Sequence, residues 1–105
     1  MPIQISKRQV VQYLLAEKLN DLLPDNSILI NCAGSVVTSL WHKLHLNRGK
    51  MFLNSSSQGD MGSELPMAIG AWFADKTRPI FCLVGDGSLN FNIQELSTLK
   101  QFNIP

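Results

Sequence analysis

Ile80-Phe81-Cys82-Leu83-Val84-Gly85-Asp86-Gly87-Ser88-Leu89-Asn90 decides how the rest of the chain is read. Ile80 to Val84 are apolar and are opened by Pro79, which predicts a short buried strand. The chain then breaks at Gly85-Asp86-Gly87-Ser88. Asn92 followed by Glu95 has the form of a capping box, which predicts a helix from about Asn92 to Phe102. That helix is expected to turn Ile93, Leu96 and Leu99 inward.

One acid between two glycines, at the carboxyl end of a strand and before a helix, is where open α/β sheets bind ligands. The glycines let the backbone approach an anion closely, and free N–H groups can face phosphate oxygens. A bare carboxylate would repel phosphate, but with Mg²⁺ between them it becomes a ligand. Strand, Gly-Asp-Gly-Ser and helix therefore suggest a metal–diphosphate site. An Asp-Gly turn joining two strands is the plainer reading, and the helical pattern that follows argues against it.

Working outward, a helix is predicted from Ser6, with Ser6 and Gln9 as its capping box. Val10, Val11, Leu14, Leu15, Leu19, Leu22 and Leu23 recur at helical spacing, and Pro24-Asp25-Asn26 ends it. Ile28–Cys32 reads as a buried strand. Ala33-Gly34-Ser35 then repeats the strand–glycine–helix logic, with Ser35 able to cap a helix over Val36–His45. Val36, Val37, Leu40, Trp41 and Leu44 share a face of that helix. Met51–Asn54 reads as a second strand, and residues 55–63 as an irregular loop. The helix Leu65–Ala74 is apolar nearly all round, with Pro66 in its first turn, and is expected to be buried.

Helices alternating with strands predict an α/β fold: a three-layer, doubly wound parallel sheet. The run to Ile104-Pro105 looks like the approach to a fourth strand. The chain, 1–105, is therefore expected to be a single domain truncated at its carboxyl side.

The 105 residues carry a net charge of +1, which calls for neither nucleic acid nor an anionic membrane as partner. No apolar run approaches a membrane span, and the first residues lack the apolar core of a signal peptide. Cys32 and Cys82, on predicted strands, are expected to be buried free thiols, consistent with a cytoplasmic protein. No Cys-x-x-Cys pair points to zinc, and His42 and His45 read as surface residues.

Two segments together carry a resemblance. Gly59-Asp60-Met61-Gly62, continuing through Pro66 to Ala71, has the pattern G-x-M-G-x-x-x-P-x-A-I-G-A. Gly85 to Leu96 has the pattern G-D-G-S-x-x-x-N-I-Q-E-L. From about Asp25 to Pro105 the chain resembles the diphosphate-binding domain of thiamine-diphosphate-dependent enzymes, closest to the acetolactate synthase large subunit. The resemblance implies thiamine diphosphate and Mg²⁺ as cofactors and a 2-keto acid as substrate. It implies Asp86 as a metal ligand, with Gly85, Gly87 and Ser88 offering backbone and hydroxyl groups to the diphosphate. Gly34 and Ser35 would approach the diphosphate from the other side. Met61 would hold the cofactor bent, and backbone near Gly59, Asp60 and Met61 would meet its aminopyrimidine ring.

The sequence also departs from the family. A second metal ligand, an Asn on the next strand, does not occur before Pro105. The general base is a Glu on a separate pyrimidine-binding domain, in the same longer chain or another subunit, so no catalytic residue is expected here. Acetolactate synthases commonly have Gly-Gln-His where this chain has Gly34-Ser35-Val36. The expectation is an enzyme fragment, inactive alone and a homo-oligomer when complete. Alternatives are a sulfopyruvate, phosphonopyruvate or benzoylformate decarboxylase domain, or a non-catalytic interaction module.

Overall fold

The computed structural model describes residues 11–56 and 58–105. In chain order it contains α1 (Gln12–Leu22), β1 (Ile28–Ile30), α2 (Ser35–Lys43), β2 (Met51–Leu53), α3 (Glu64–Ala74), β3 (Ile80–Cys82) and α4 (Asp86–Phe91). A 3₁₀ turn, Ile93–Glu95, and α5 (Leu96–Gln101) follow. The predicted helix start at Ser6, with its Ser6–Gln9 box, lies outside the described residues, as does Ser57.

The sheet is parallel, in the order β2-β1-β3. Ile28, Leu29 and Ile30 stand opposite Met51, Phe52 and Leu53 on one side and Ile80, Phe81 and Cys82 on the other. Side chains alternate across the strands, so each face gets its own core. Leu29 and Phe52 join Ala16, Leu23 and Leu40 beneath α1 and α2. Ile28, Ile30, Leu53, Ile80 and Cys82 pack with Cys32, Met67, Ala68 and Ala71 of the α3 side. The result is the expected three-layer arrangement, with helices on both faces of a parallel sheet.

Several expectations are corrected. The strands are three residues each, shorter than read, because β1 and β3 part after Leu83 N–H donates to Ile30 O at 2.8 Å. The strand at Ile80 is not fully buried. It is a sheet edge, with Phe81 exposed, whereas β1 is buried at every position. Cys32 lies just beyond β1, and both thiols are free, but only Cys32 is buried. Burial follows the number of flanking strands, which an apolar run does not encode.

Among the helices, α3 buries only Glu64, Leu65 and Ala68, and Phe73 is exposed. One side of α3 meets the sheet; Phe73 instead meets Phe102 edge-on at 5.2 Å between ring centres. On α1 and α2 the buried residues are Ala16, Ser39 and Leu40, while Leu14, Leu22 and Trp41 are exposed. The two helices pack on each other, so each offers the sheet a narrower stripe than its apolar pattern spans. Ile93 and Leu96 are also exposed and Leu99 is half-buried; α5 meets α3 where Phe102, just past its end, lies against Phe73.

The loop read at Gly85–Ser88 is itself the first turn of α4, with Gly85 at the cap. The Asn92–Glu95 capping box does not form. Asn92 spends its side-chain amide on Gly62 O instead.

Candidate functional site

In this strand order the chain leaves β1 toward β2 and later returns on the other side as β3. The carboxyl ends of β1 and β3 therefore diverge, the position where doubly wound sheets bind ligands. A cleft of about 280 Å³ opens there, lined by Leu15, Asn31, Ala33, Gly34, Ser35, Val36, Leu83, Val84 and Gly85. It brings together three of the predicted site residues, Gly34, Ser35 and Gly85.

Gly34 has φ +86°, a left-handed value that disfavours any side chain, and forms the cap of α2. The amino end of α2 thus meets the cleft, and its first-turn N–H groups are the sort that bind anions. Ser35 does not cap the helix with its side chain. Its Oγ accepts from Gln12 Nε2 at 2.6 Å, tying α1 to the cleft rim. Across the cleft, Gly85 has nothing within 4 Å of where a Cβ would stand. Asp86 follows as the first residue of α4, exposed to solvent.

Asn31 was not singled out from sequence. It is buried beside the cleft, and its Nδ2 donates to Leu83 O at 2.8 Å and Ala33 O at 3.4 Å. It replaces ladder hydrogen bonds where the strands part. Its Oδ1 has no partner among the described residues. The available signal was one amide in an otherwise apolar run.

The second half of the predicted site forms around Gly62. Gly59 and Asp60 lie in exposed irregular chain, where Asp60 N–H donates to Ser55 Oγ at 3.2 Å. Met61 is exposed, and its Cε lies 3.2 Å from where a Cβ on Gly87 would stand. Gly62 has φ +92°, and a Cβ there would lie 2.7 Å from Phe91 Cβ, so only glycine fits. Its N–H donates to Ser88 Oγ at 2.6 Å, and its carbonyl accepts from Asn92 Nδ2.

Ser88 was expected to offer its hydroxyl to a cofactor. The structure turns it inward: Ser88 is buried, and its Oγ donates to Glu64 Oε2 at 2.5 Å. Sequence reasoning passed over Glu64, although it is the only charged residue in the apolar run Ser63–Ala74.

Among the described residues, no group of three or more His, Cys, Asp or Glu side chains could hold a metal ion. Asp86 is thus a single carboxylate, able to supply one ligand of a shared shell. The residues fit a phosphorylated, metal-bridged ligand. They offer a cleft at the strand divergence, a helix amino end, bare glycine backbone and one exposed acid. Neither free thiol competes for that role. Burial chiefly, with Glu64 and Cys32 nearby, pushes the Cys82 thiol from 9.0 up to about 11.

Residues 33–105 match the family described as thiamine pyrophosphate enzyme, C-terminal TPP binding domain. The chain is 35% identical over 94 residues to the acetolactate synthase isozyme 2 large subunit of Escherichia coli, covering 88% of this chain and 17% of that protein. It is 34% identical over 104 residues to a probable acetolactate synthase large subunit of Methanococcus aeolicus, covering 98% of this chain and 17% of that protein. A benzoylformate decarboxylase of Pseudomonas aeruginosa is 31% identical over 88 residues, covering 83% and 16%. The chain spans about a sixth of the length of these relatives. With the family match covering well over half of its residues, the chain belongs to the thiamine pyrophosphate enzymes and carries their C-terminal TPP-binding domain.

Proposed function

We propose that this chain is the diphosphate-binding part of a thiamine-diphosphate- and Mg²⁺-dependent 2-keto acid synthase or decarboxylase of the acetolactate synthase type. The observation that carries the reading is the cleft between the ends of β1 and β3, with Gly34, Ser35 and Gly85 on its walls and Asp86 just outside.

Each residue has a physical role in it. Asp86 would hold Mg²⁺, whose charge would let a negative phosphate lie near a negative side chain. Gly85 would leave the backbone open to approach, and Gly87 would do so where the flexible Met61 side chain gives way. The first turn of α2 behind Gly34 and Ser35 would offer N–H groups to a phosphate in the cleft. Gly59 and Asp60 would offer backbone to the cofactor's aminopyrimidine end, and Met61 would pack against the cofactor. Ser88 acts indirectly, by holding Gly62. When bound, thiamine diphosphate supplies an electron sink for cleavage or formation of a bond beside a keto carbon.

The general base and the remaining Mg²⁺ ligand belong to other parts of the enzyme, a pyrimidine-binding domain among them. The 105-residue chain by itself therefore binds the cofactor weakly and does not turn over pyruvate. The likeness to benzoylformate decarboxylase supports a second reading, a decarboxylase rather than a carboligase.

The test is an amide NMR titration of the chain with thiamine diphosphate and Mg²⁺. The Gly34, Ser35, Gly85 and Gly87 amides are expected to shift, and to stop shifting when Mg²⁺ is omitted or in Asp86→Ala. Shifts that persist in Asp86→Ala, or that fall only on other residues, overturn the reading.

A further inference from the structure

Glu64 is an anomaly of packing. It opens an apolar helix, yet it is fully buried, at 0% exposure. A buried carboxyl is costly unless it is hydrogen-bonded. The amino end of α3 offsets part of that cost. The one side-chain partner is Ser88, while Oε1 has none among the described residues.

What Ser88 does with that bond matters more than the bond itself. A serine hydroxyl has a single hydrogen, and its rotor turns to suit the best acceptor. With the hydrogen committed to Glu64, the oxygen lone pairs are left for Gly62 N–H. Without Glu64, a helical serine can turn its hydrogen to a carbonyl one turn back, and the bond to Gly62 weakens. Asn92 holds the other polar group of Gly62. The turn that ends in Met61-Gly62 is thus fastened to α4, the helix whose first residues are Asp86 and Gly87.

The geometry points to Glu64 as a positioning residue: its buried carboxyl, acting through Ser88, sets the Gly62 turn that carries Met61 onto Gly87. The inference rests on the cofactor reading above only in its consequence. If Met61 supports the bent cofactor and Asp86 holds its metal, Glu64 keeps the two in register without touching either.

The experiment uses the full chain with ¹³C-methyl-labelled methionine. The Met61 methyl resonance and the hydrogen-exchange rate of the Gly62 amide are followed in wild type, Glu64→Ala, Glu64→Gln and Ser88→Ala. Glu64→Ala and Ser88→Ala each shift the Met61 methyl and speed Gly62 exchange by about tenfold, the loss of roughly one hydrogen bond. The Leu29 and Ile30 amides stay protected in both. Glu64→Gln keeps a carbonyl oxygen for the Ser88 hydrogen and restores both signals.

A Met61 methyl and Gly62 amide unmoved in Glu64→Ala overturn the inference. So does a loss of protection that extends to Leu29 and Ile30, or a Glu64→Gln that behaves like alanine. Should Glu64→Ala not fold, Glu64→Gln against Ser88→Ala decides the matter on the same signals. Titration with thiamine diphosphate and Mg²⁺ separates the two readings. Wild type binding, however weakly, with Glu64→Ala binding equally well overturns the positioning role. Wild type not binding at all overturns the cofactor reading, while the methyl and amide signals still decide the relay.

Discussion

The Met61 side chain closes over Gly87, its Cε 3.2 Å from where a Cβ on that residue would stand. The spacing is tighter than ordinary contact, but the atom that must yield is the free end of an exposed, flexible side chain. Gly87→Ala therefore separates folding from binding. Alanine at this position of α4 gains helix propensity, so unfolding free energy holds or rises by about 0.5–1 kcal/mol. Met61 is displaced, and the affinity for thiamine diphosphate with Mg²⁺ falls. Urea unfolding and the amide titration measure the two effects; a parallel loss of both contradicts the expectation.

Arg78 staples the amino end of the sheet. Its Nε donates to Asn26 O at 2.7 Å and its Nη2 to Gly49 O at 2.7 Å, which joins the entries to β1, β2 and β3. Arg78→Ala is expected to cost about 1–2 kcal/mol, since charge-assisted bonds are lost. Arg78→Lys keeps the charge but not the planar fork, and recovers less than half of the loss. Chemical denaturation at neutral pH gives both numbers.

Below pH 4 the Asp75 carboxyl contributes to the pH dependence of stability. Thr77 Oγ1–H and Thr77 N–H both donate to Asp75 Oδ1, at 2.6 and 2.9 Å, and these bonds hold the Asp75 carboxyl below its ordinary 3.8. The folded chain then binds fewer protons there than the unfolded chain, so stability rises with pH across that window. The contribution is complete above the ordinary value and is lost as pH falls through the lowered one. Thr77→Val removes the hydroxyl bond, and its Tm should fall less steeply than that of wild type between pH 4 and 2. Identical slopes would show that the bond carries no pH dependence.

Cys82 should be a slow thiol. With its value near 11 rather than 9.0, its thiolate population at pH 8 is about a hundredfold below that of an ordinary thiol. Alkylation by iodoacetamide, followed by mass spectrometry, should be slower by roughly tenfold, because a thiolate of higher pKa is also the more nucleophilic. Glu64→Gln removes one of the contributions that raise Cys82 and should speed the reaction. Rapid alkylation in wild type would mean that Cys82 is more open than its position on β3 indicates.

Much of the fold could be read locally. Gly34 and Gly85 each follow an apolar run and precede a helix, and Pro24 and Pro79 mark breaks. Such signals arise within a few residues of chain, and alternating helices and strands leave few arrangements other than a parallel sheet. The acid at Asp86 and the two glycine breaks suggested phosphate and metal for the same reason, since the chemistry of a short loop is carried by its own residues.

Burial and direction belong to partners distant in sequence. Whether β1 or β3 is central depends on which strands flank it, so an apolar run placed at Ile80 could become an edge while Ile28–Ile30 became the core. The hydroxyl of Ser88 points inward because Glu64, 24 residues earlier, waits for it in the interior. Asn92 has the spacing to cap a helix, yet it serves Gly62, 30 residues before it. A side chain's hydrogen bonds go to the best partner in space, and that partner exists only once the layers have packed.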